Sequence, residues 1–197
     1  MKKVVKSLVF ILSALLILPV TLIYFIIRPL VGEDVALTSC SQFLSLLPGK
    51  SSVYLRAGFY RFALTHCSPD AVISFLVLFS QQDTEVGSGV YIGPQSNIGR
   101  CKIGNNSLLG SSVHVMSGKG QHNFSDLDVP IKEQGGTFEK IIIGQNCWVG
   151  NGAMIMANIG SDCIVGAGSV VINDMPPQSI IAGNPAKVIG NRSSQRI

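Results

Sequence analysis

The chain contains three histidines, and only one of them, His122, lies in a stretch with the character of an active-site loop. Residues 118–126 around it are mostly glycine and polar residues. A histidine can take up a proton near neutral pH, which makes it the usual general base in enzymes. His122 is therefore the first candidate for a catalytic group and His114 the second. Asp126 could orient the His122 ring, and His66 is more simply structural.

Aliphatic residues recur every sixth position on both sides of this stretch, and the residues four places after eight of them are all small. A six-residue period fits neither an α-helix nor a two-sided strand, and it predicts a hexapeptide parallel β-helix. The aliphatic residues should fill a three-sided prism, with the small residues near its corners. The aliphatic series is Val86, Ile92, Ile98, Ile103, Leu109, Val115, Ile143, Val149, Ile155, Ile159, Val165 and Val171. The small residues are Val90, Ser96, Ser107, Val113, Cys147, Ala153, Cys163 and Ser169.

The repeats divide the chain into four parts: a membrane anchor (1–32), a helical linker and cap (33–82), the β-helix (83–175) and a C-terminal tail (176–197). Two helices are expected in the second part, over residues 37–47 and 53–64. Residues 71–79 resemble one apolar strand that caps or begins the prism. The repeats are interrupted once, by the loop 117–140. A non-repeating excursion of this length inside a compact solenoid usually carries function.

The first thirty residues account for much of the hydrophobic content of 47% and for the low charged content of 13%. Residues 8–27 are almost wholly apolar and long enough to cross a bilayer core of about 30 Å. Three lysines, Lys2, Lys3 and Lys6, precede this run, which suits a cytoplasmic N-terminus. Pro19 could break the run into a re-entrant hairpin. The sequence thus predicts a membrane helix or a re-entrant hairpin.

Cysteine content and charge exclude some classes of protein. The five cysteines are odd in number and form no CxxC pair, which argues against a disulfide framework or a zinc cluster and fits a reducing compartment. The net charge of +4 is modest, without a basic stripe interleaved with aromatic residues. We therefore expect no nucleic-acid binding.

The repeats, the histidine loop and three further motifs together resemble the hexapeptide-repeat O-acetyltransferases, which include polysaccharide, galactoside, maltose and streptogramin acetyltransferases. The motifs are Ile141–Gly150, Val165–Val171 and Ala182–Ile189. The resemblance covers about residues 83–190. It implies a left-handed β-helix, a homotrimer with active sites between neighbouring prisms, and acetyl-CoA as the donor. No metal is expected.

The resemblance also implies which residues form the site, because individual positions of this chain match the family's motifs. His122 matches the catalytic histidine, which would deprotonate a sugar hydroxyl that attacks the thioester directly. Asn151 and the Ala167–Gly168 turn match positions where backbone groups hold the pantetheine arm. Lys187 matches a basic residue that meets the CoA phosphates, and Trp148 is expected to pack at the wall of the cleft.

The predicted function is acetyl transfer to a hydroxyl of a cell-surface polysaccharide or a lipid-linked saccharide precursor. Because acetyl-CoA is cytosolic, the domain is placed on the cytoplasmic face of the bacterial inner membrane. Two alternatives stay open, a streptogramin-type acetyltransferase of xenobiotics and a non-catalytic β-helix scaffold. A zinc enzyme of the γ-carbonic anhydrase type would need three suitably arranged histidines, which the spacing of His66, His114 and His122 does not favour.

Overall fold

The structure, a computed structural model, describes residues 2–194. Four helices come first: α1 (Lys2–Leu16), α2 (Leu18–Val31), α3 (Glu33–Ser45) and α4 (Gly49–Ala63). Helices α3 and α4 correspond to the two helices expected from the sequence, although each begins four residues earlier. A solenoid of about six coils follows them, built from strands of mostly two residues.

Each complete coil contributes one strand to each of three faces. Face A contains β1 (His66–Cys67), β4 (Glu85–Val86), β7 (Cys101–Ile103) and β10 (Ile141–Ile143). Face B contains β2 (Val72–Ile73), β5 (Tyr91–Ile92), β8 (Leu108–Leu109), β11 (Trp148–Val149), β13 (Ile164–Val165), β15 (Ser179–Gly183) and β16 (Ala186–Asn191). Face C contains β3 (Leu78–Phe79), β6 (Asn97–Ile98), β9 (His114–Val115), β12 (Met154–Ile155) and β14 (Val170–Val171). The strands of each face pair in parallel, except for the antiparallel final pair β15–β16.

The interior confirms the six-residue pattern. All twelve aliphatic residues of the series and all eight small residues are buried. The small residues also satisfy the backbone at the corners: the Ser107 hydroxyl accepts a hydrogen bond from the Cys147 amide at 3.1 Å and donates one to the Gly144 carbonyl at 2.8 Å. The corner has no room for a larger side chain. The small Ser107 hydroxyl fits there and connects two coils.

The solenoid is longer at both ends than the expected range of 83–175. Its first coil begins at His66, and residues 71–79 form β2 and β3 with a turn between them rather than one strand. At the other end, the expected tail folds back as the β15–β16 hairpin and extends face B. Both segments pair because a solenoid coil exposes unpaired backbone groups at each open edge, which a further strand can satisfy.

Helices α3 and α4 close the first coil. Arg56 is only 1% exposed, and its guanidinium donates to the carbonyls of Ile73 and Leu47, each at 2.8 Å. The Ser41 hydroxyl accepts the amide hydrogen of Phe79 at 2.9 Å. These contacts satisfy edge groups of the first coil that have no preceding strand to pair with. The helices therefore seal the end of the prism.

Helices α1 and α2 pack on α3 and α4 with one face and leave the other face open. The chain breaks at Ile17, and the segments Leu8–Leu16 and Leu18–Val31 meet at a bend of 53°. Among the described residues no single helix is long and apolar enough for a membrane crossing, whereas this bent pair has the necessary length and composition when taken together. The break precedes Pro19, and such a bent pair fits either a broken membrane span or a re-entrant segment.

Candidate active site

The long loop replaces one corner of the prism, where the chain passes from face C to face A. It leaves β9 at Val115, returns at Ile141, and its two limbs pair as an antiparallel ribbon. The rungs join Glu139 N to Ser117 O at 2.9 Å, Thr137 N to Gly120 O at 2.7 Å and Asn123 N to Gly135 O at 2.8 Å. The ribbon thus gives a defined backbone to the segment that carries His122.

His122 lies in the outgoing limb next to the last rung, and its side chain is exposed. Within the described part of the chain, its imidazole has no hydrogen bond or ion pair. Gly136 lies opposite in the returning limb, so close that a Cβ there would overlap the Gln121 carbonyl and lie 2.8 Å from His122 N. The close approach of the two limbs therefore requires glycine at position 136.

The tip of the ribbon is organised by Gln134. Its side-chain amide donates to the carbonyls of Asp126 at 2.6 Å and Val129 at 2.7 Å, and its side-chain oxygen accepts from Asp126 N at 3.1 Å. The Asp126 carboxylate accepts the amide hydrogen of Asp128 at 2.9 Å. That contact stabilises the turn at the tip, so the carboxylate predicted to orient His122 has a local structural partner.

A cluster of five charged side chains lies on face A at the base of the ribbon. The Lys140 ammonium contacts Asp83 at 2.5 Å and Glu85 at 2.8 Å, and Lys102 contacts Glu85 at 3.1 Å. The Arg100 guanidinium contacts Asp83 at 2.8 Å. The hydrogen bond from Lys140 lowers the pKa of both carboxyl groups below their ordinary values. Both carboxyl groups are therefore ionised at neutral pH.

His114, the second candidate base, is half-buried on β9. Its Nδ1 lies 3.1 Å from the Asn97 side-chain nitrogen on the neighbouring strand β6 of face C. The Asn97 amide nitrogen can only donate, so the His114 Nδ1 is the acceptor in this hydrogen bond. This ring is therefore bound to the side of the prism, whereas the His122 ring extends from it.

The residues predicted to contact CoA gather on and beside a different corner, between faces B and C. Asn151 O accepts the amide hydrogen of Gly168 at 2.9 Å, and Asn151 Oδ1 accepts that of Ser111, also at 2.9 Å. The backbone N–H groups of Asn151 and Ala167 have no hydrogen-bond partner among the described residues. Both residues lie in exposed turns.

Two further predicted residues lie beside this corner. Trp148 stands on the outer side of β11 on face B and is 56% exposed. Lys187 lies on β16, paired with Ala182 of β15, and its side chain is exposed. The predicted CoA residues thus lie along face B and its corner with face C, whereas the His122 ribbon leaves from the corner between faces C and A. A single chain does not bring the two sets together.

A groove of about 210 Å³ lies between α3, face C and the start of the ribbon. Its polar lining is uncharged, and Leu78 and Met116 give it apolar walls. A second groove beside α3 shares Thr38 and Ser80 with the first. The polar residues that line the first groove are Thr38, Ser80, Asn97, Ser117 and Gln121.

The three histidines lie in different parts of the fold, and the cysteines lie in its interior. His66, His114 and His122 lie on face A, on face C and in the ribbon, and no metal-type group of three His, Cys, Asp or Glu occurs within residues 2–194. All five cysteines are buried. Burial raises the pKa of Cys67 and of Cys101 to about 12, which keeps both thiols protonated.

Sequence reasoning did not find the charged cluster or the groove. The cluster joins residues that are 17 to 57 positions apart, Asp83, Arg100 and Lys140 among them. The sequence pattern could have indicated part of the cluster. It places Glu85 and Lys102 at outward positions of successive coils, and the strand register sets them side by side. The groove depends on where α3 packs, and no local pattern reports that.

Comparisons with known proteins define the class of fold. Residues 140–172 match the family model described as "Hexapeptide repeat of succinyl-transferase". Solved structures that align with the chain include acetyltransferases and an N-acyltransferase, and the likeness confirms the predicted fold, a left-handed parallel β-helix. No curated protein sequence matches the chain at a significant level.

Three solved structures illustrate the likeness. A hexapeptide-repeat-containing acetyltransferase from Vibrio cholerae aligns with a TM-score of 0.65 at 19% identity, over 82% of this chain and 93% of its own. A maltose O-acetyltransferase from Clostridium difficile aligns with a TM-score of 0.59 at 20% identity, over 80% and 87%. A galactoside acetyltransferase in complex with coenzyme A aligns with a TM-score of 0.54 at 21% identity, over 79% and 78%.

Proposed function

We propose that the protein is an acetyl-CoA-dependent O-acetyltransferase that modifies a saccharide hydroxyl, with His122 as the general base. The observation that carries this proposal is the ribbon, which holds an exposed imidazole beyond the prism surface with no competing partner among the described residues. Structures of similar fold include a maltose O-acetyltransferase and a galactoside acetyltransferase with bound coenzyme A, which supports the donor and the acceptor class.

The chemistry needs few groups, because a thioester is already activated. The neutral His122 ring takes the proton from the acceptor hydroxyl as its oxygen attacks the acetyl carbonyl. The new C–O bond forms and the C–S bond breaks, so that CoA leaves as a thiolate and takes up a proton. Alignment and a well-placed base supply most of the rate enhancement in such a direct transfer.

A neighbouring copy completes the site in this proposal. His122 and the Asn151–Ala167 corner are separated on one prism, so the ribbon of one copy must face the CoA corner of another. The ribbon also exposes large apolar side chains, with Phe124, Leu127 and Ile131 at 73%, 97% and 57%. Exposed apolar groups of this kind favour contact with another protein surface. A closed ring of three copies, a homotrimer, satisfies these requirements.

The acceptor is proposed to bind in the groove beside the ribbon base. Hydroxyl and amide side chains such as Ser80 and Asn97 can exchange hydrogen bonds with sugar hydroxyls. The apolar wall at Leu78 and Met116 suits the C–H face of a sugar ring. The lining of this groove has no charged residue. A neutral saccharide is therefore the favoured ligand.

We also propose that the protein works at a membrane. The open face of α1 and α2 exposes Leu12, Leu15, Leu22 and Ile26 at 52–66%, which makes a continuous apolar surface on the helical cap. Such a surface suits lipid. Because the donor is cytosolic, the cytoplasmic face of the bacterial inner membrane is the proposed location, with a lipid-linked precursor or a nascent polysaccharide as the acceptor.

Mass spectrometry of surface glycans from cells with and without the gene tests the reaction. A gain of about 42 daltons per acetyl group is expected only with the wild-type gene. His122→Ala should lower turnover about 10²- to 10⁴-fold, which is the usual contribution of a general base, and should leave CoA binding intact. Undiminished transfer by this variant would contradict the role of His122.

A further inference from the structure

The charged cluster on face A connects the body of the prism to both limbs of the His122 ribbon. Arg100 makes the two connections. Its backbone N–H donates to the Ser117 hydroxyl of the outgoing limb at 2.9 Å, and its guanidinium donates to the Phe138 carbonyl of the returning limb at 3.1 Å. The same guanidinium is held by Asp83, 2.9 Å from its Nε.

Lys140 fixes the end of the returning limb. It is the last loop residue before β10, and its ammonium lies between Asp83 on the turn into β4 and Glu85 on β4 itself. The Lys140 side chain is 27% exposed, so water screens the contact only in part. Two carboxylates on one ammonium restrict that side chain more than a single surface ion pair would.

Within residues 2–194, the hydrogen bonds and ion pairs that join the ribbon to the prism all involve Arg100 or Lys140. The limbs contain Gly118, Gly120, Gly135 and Gly136, which restrict the backbone weakly. The contacts between the limbs keep them together but do not set the angle of the ribbon to the prism. That angle depends on the base, where Arg100 and Lys140 act, and His122 lies beyond them.

We propose that Lys140 and Arg100 are positioning residues, which set the direction of the ribbon and thereby place the His122 imidazole at the cleft with a neighbouring copy. This inference rests on the proposed acetyl transfer for its effect on rate. Its effect on the ribbon itself can be measured without any reaction. Neither residue touches the reacting atoms.

Lys102 provides a matched control. It carries the same charge and contacts the same Glu85 at 3.1 Å. It lies on β7, however, and has no hydrogen bond or ion pair to the ribbon in the part of the chain that the structure describes. Lys140→Met and Lys102→Met each remove one ammonium group from the cluster. Only the first removes a connection to the ribbon. Lys140→Arg keeps a cation at the connecting position.

The test is hydrogen exchange of peptides from residues 117–140, measured on the full chain, together with acetyl transfer. In Lys140→Met we expect about tenfold faster exchange of the ribbon amides. We also expect turnover lower by about 10- to 100-fold, since a misplacement of about 1 Å can cost that much. The KM for acetyl-CoA should stay within about twofold, because the CoA corner is elsewhere. Lys102→Met should resemble the wild type, and Lys140→Arg should recover most of the loss.

Equal ribbon exchange in Lys140→Met and Lys102→Met would overturn the inference, whatever the activity. Equal turnover in these two variants would overturn it as well. Absence of acetyl transfer in the wild type would instead refute the proposed function, and the exchange result would still decide whether Lys140 fixes the ribbon. Thermal unfolding of each variant shows whether the solenoid itself is intact.

Discussion

Gly136→Ala perturbs the position of His122 without touching its side chain. The added Cβ would overlap the Gln121 carbonyl and lie 2.8 Å from His122 N, whereas ordinary contact begins at 3.4 Å. The outgoing limb must therefore move by at least about 0.6 Å at His122 and by more at Gln121. A displacement near 1 Å lowers turnover about 10²-fold when it moves a catalytic group. Binding of CoA should be unchanged, because Asn151 and Ala167 lie at another corner.

Gly120→Ala is the matched control, since it lies in the same ribbon and a Cβ there would meet its nearest atom at 3.9 Å. The assay measures release of CoA thiol from acetyl-CoA in the presence of a saccharide acceptor, with CoA affinity measured by calorimetry. We expect loss of turnover in Gly136→Ala and near wild-type turnover in Gly120→Ala. Equal turnover in the two variants would refute the reasoning, because the close approach of the limbs would then have no catalytic consequence.

Three further predictions concern stability, the thiols and the membrane. Arg56→Met should lower the free energy of unfolding, measured by urea denaturation, by about 2–3 kcal/mol, because buried carbonyls lose their donor. Arg61→Met, on the exposed side of α4, should change it by less than about 0.5 kcal/mol. Equal effects of the two substitutions would contradict the capping role of Arg56. The native protein should react slowly with a thiol reagent at pH 8, because burial raises the pKa of Cys147 to about 11 and that of Cys67 to about 12. Fast reaction of all five thiols before unfolding would contradict the burial of the cysteines. The full chain should sediment with vesicles of anionic lipid. The double variant Leu22→Lys, Ile26→Lys should bind at least tenfold more weakly, whereas Ile142→Lys on face A should bind like the wild type. Equal binding by all variants would exclude the α2 surface as the lipid-binding site.

The β-helix could be predicted because every coil presents the same environment. An interior position such as Val149 has the same neighbours as Leu109 one coil earlier, so its type repeats with the coil. The first coil follows the same spacing at Cys67, Ile73 and Phe79. The sequence predicts only that residues 71–79 cap or begin the prism, because the corners of this coil lack the glycines that mark the other turns.

The helical cap was predicted only in outline, since its limits depend on distant contacts. Helix α3 begins at Glu33, and the Asp34 carboxylate accepts the amide hydrogen of Gln82 at 2.7 Å. This contact joins residues 48 positions apart, and no local pattern reports it. The bend at Ile17 likewise follows from packing of α1 and α2 on α4.

The loop 117–140 could be located because it interrupts the repeat, and the structure places His122 exposed on it. What could not be predicted is how the loop is held. The contacts of Lys140 with Asp83 and of Arg100 with Phe138 need the register between coils and the path of the ribbon. These follow from three-dimensional packing rather than from the spacing of residues.

The central claim is that His122 of one copy activates an acceptor hydroxyl that attacks acetyl-CoA held at the corner of another. Mixed oligomers test it most directly. His122→Ala removes the base, and Ala167→Trp blocks the CoA corner, so that each variant alone should be inactive. In oligomers assembled from equal amounts of both variants, about a quarter of the clefts would combine an intact ribbon with an intact corner. The account predicts recovery of about a quarter of wild-type acetyl transfer. Mixed oligomers as inactive as the two parents would contradict it.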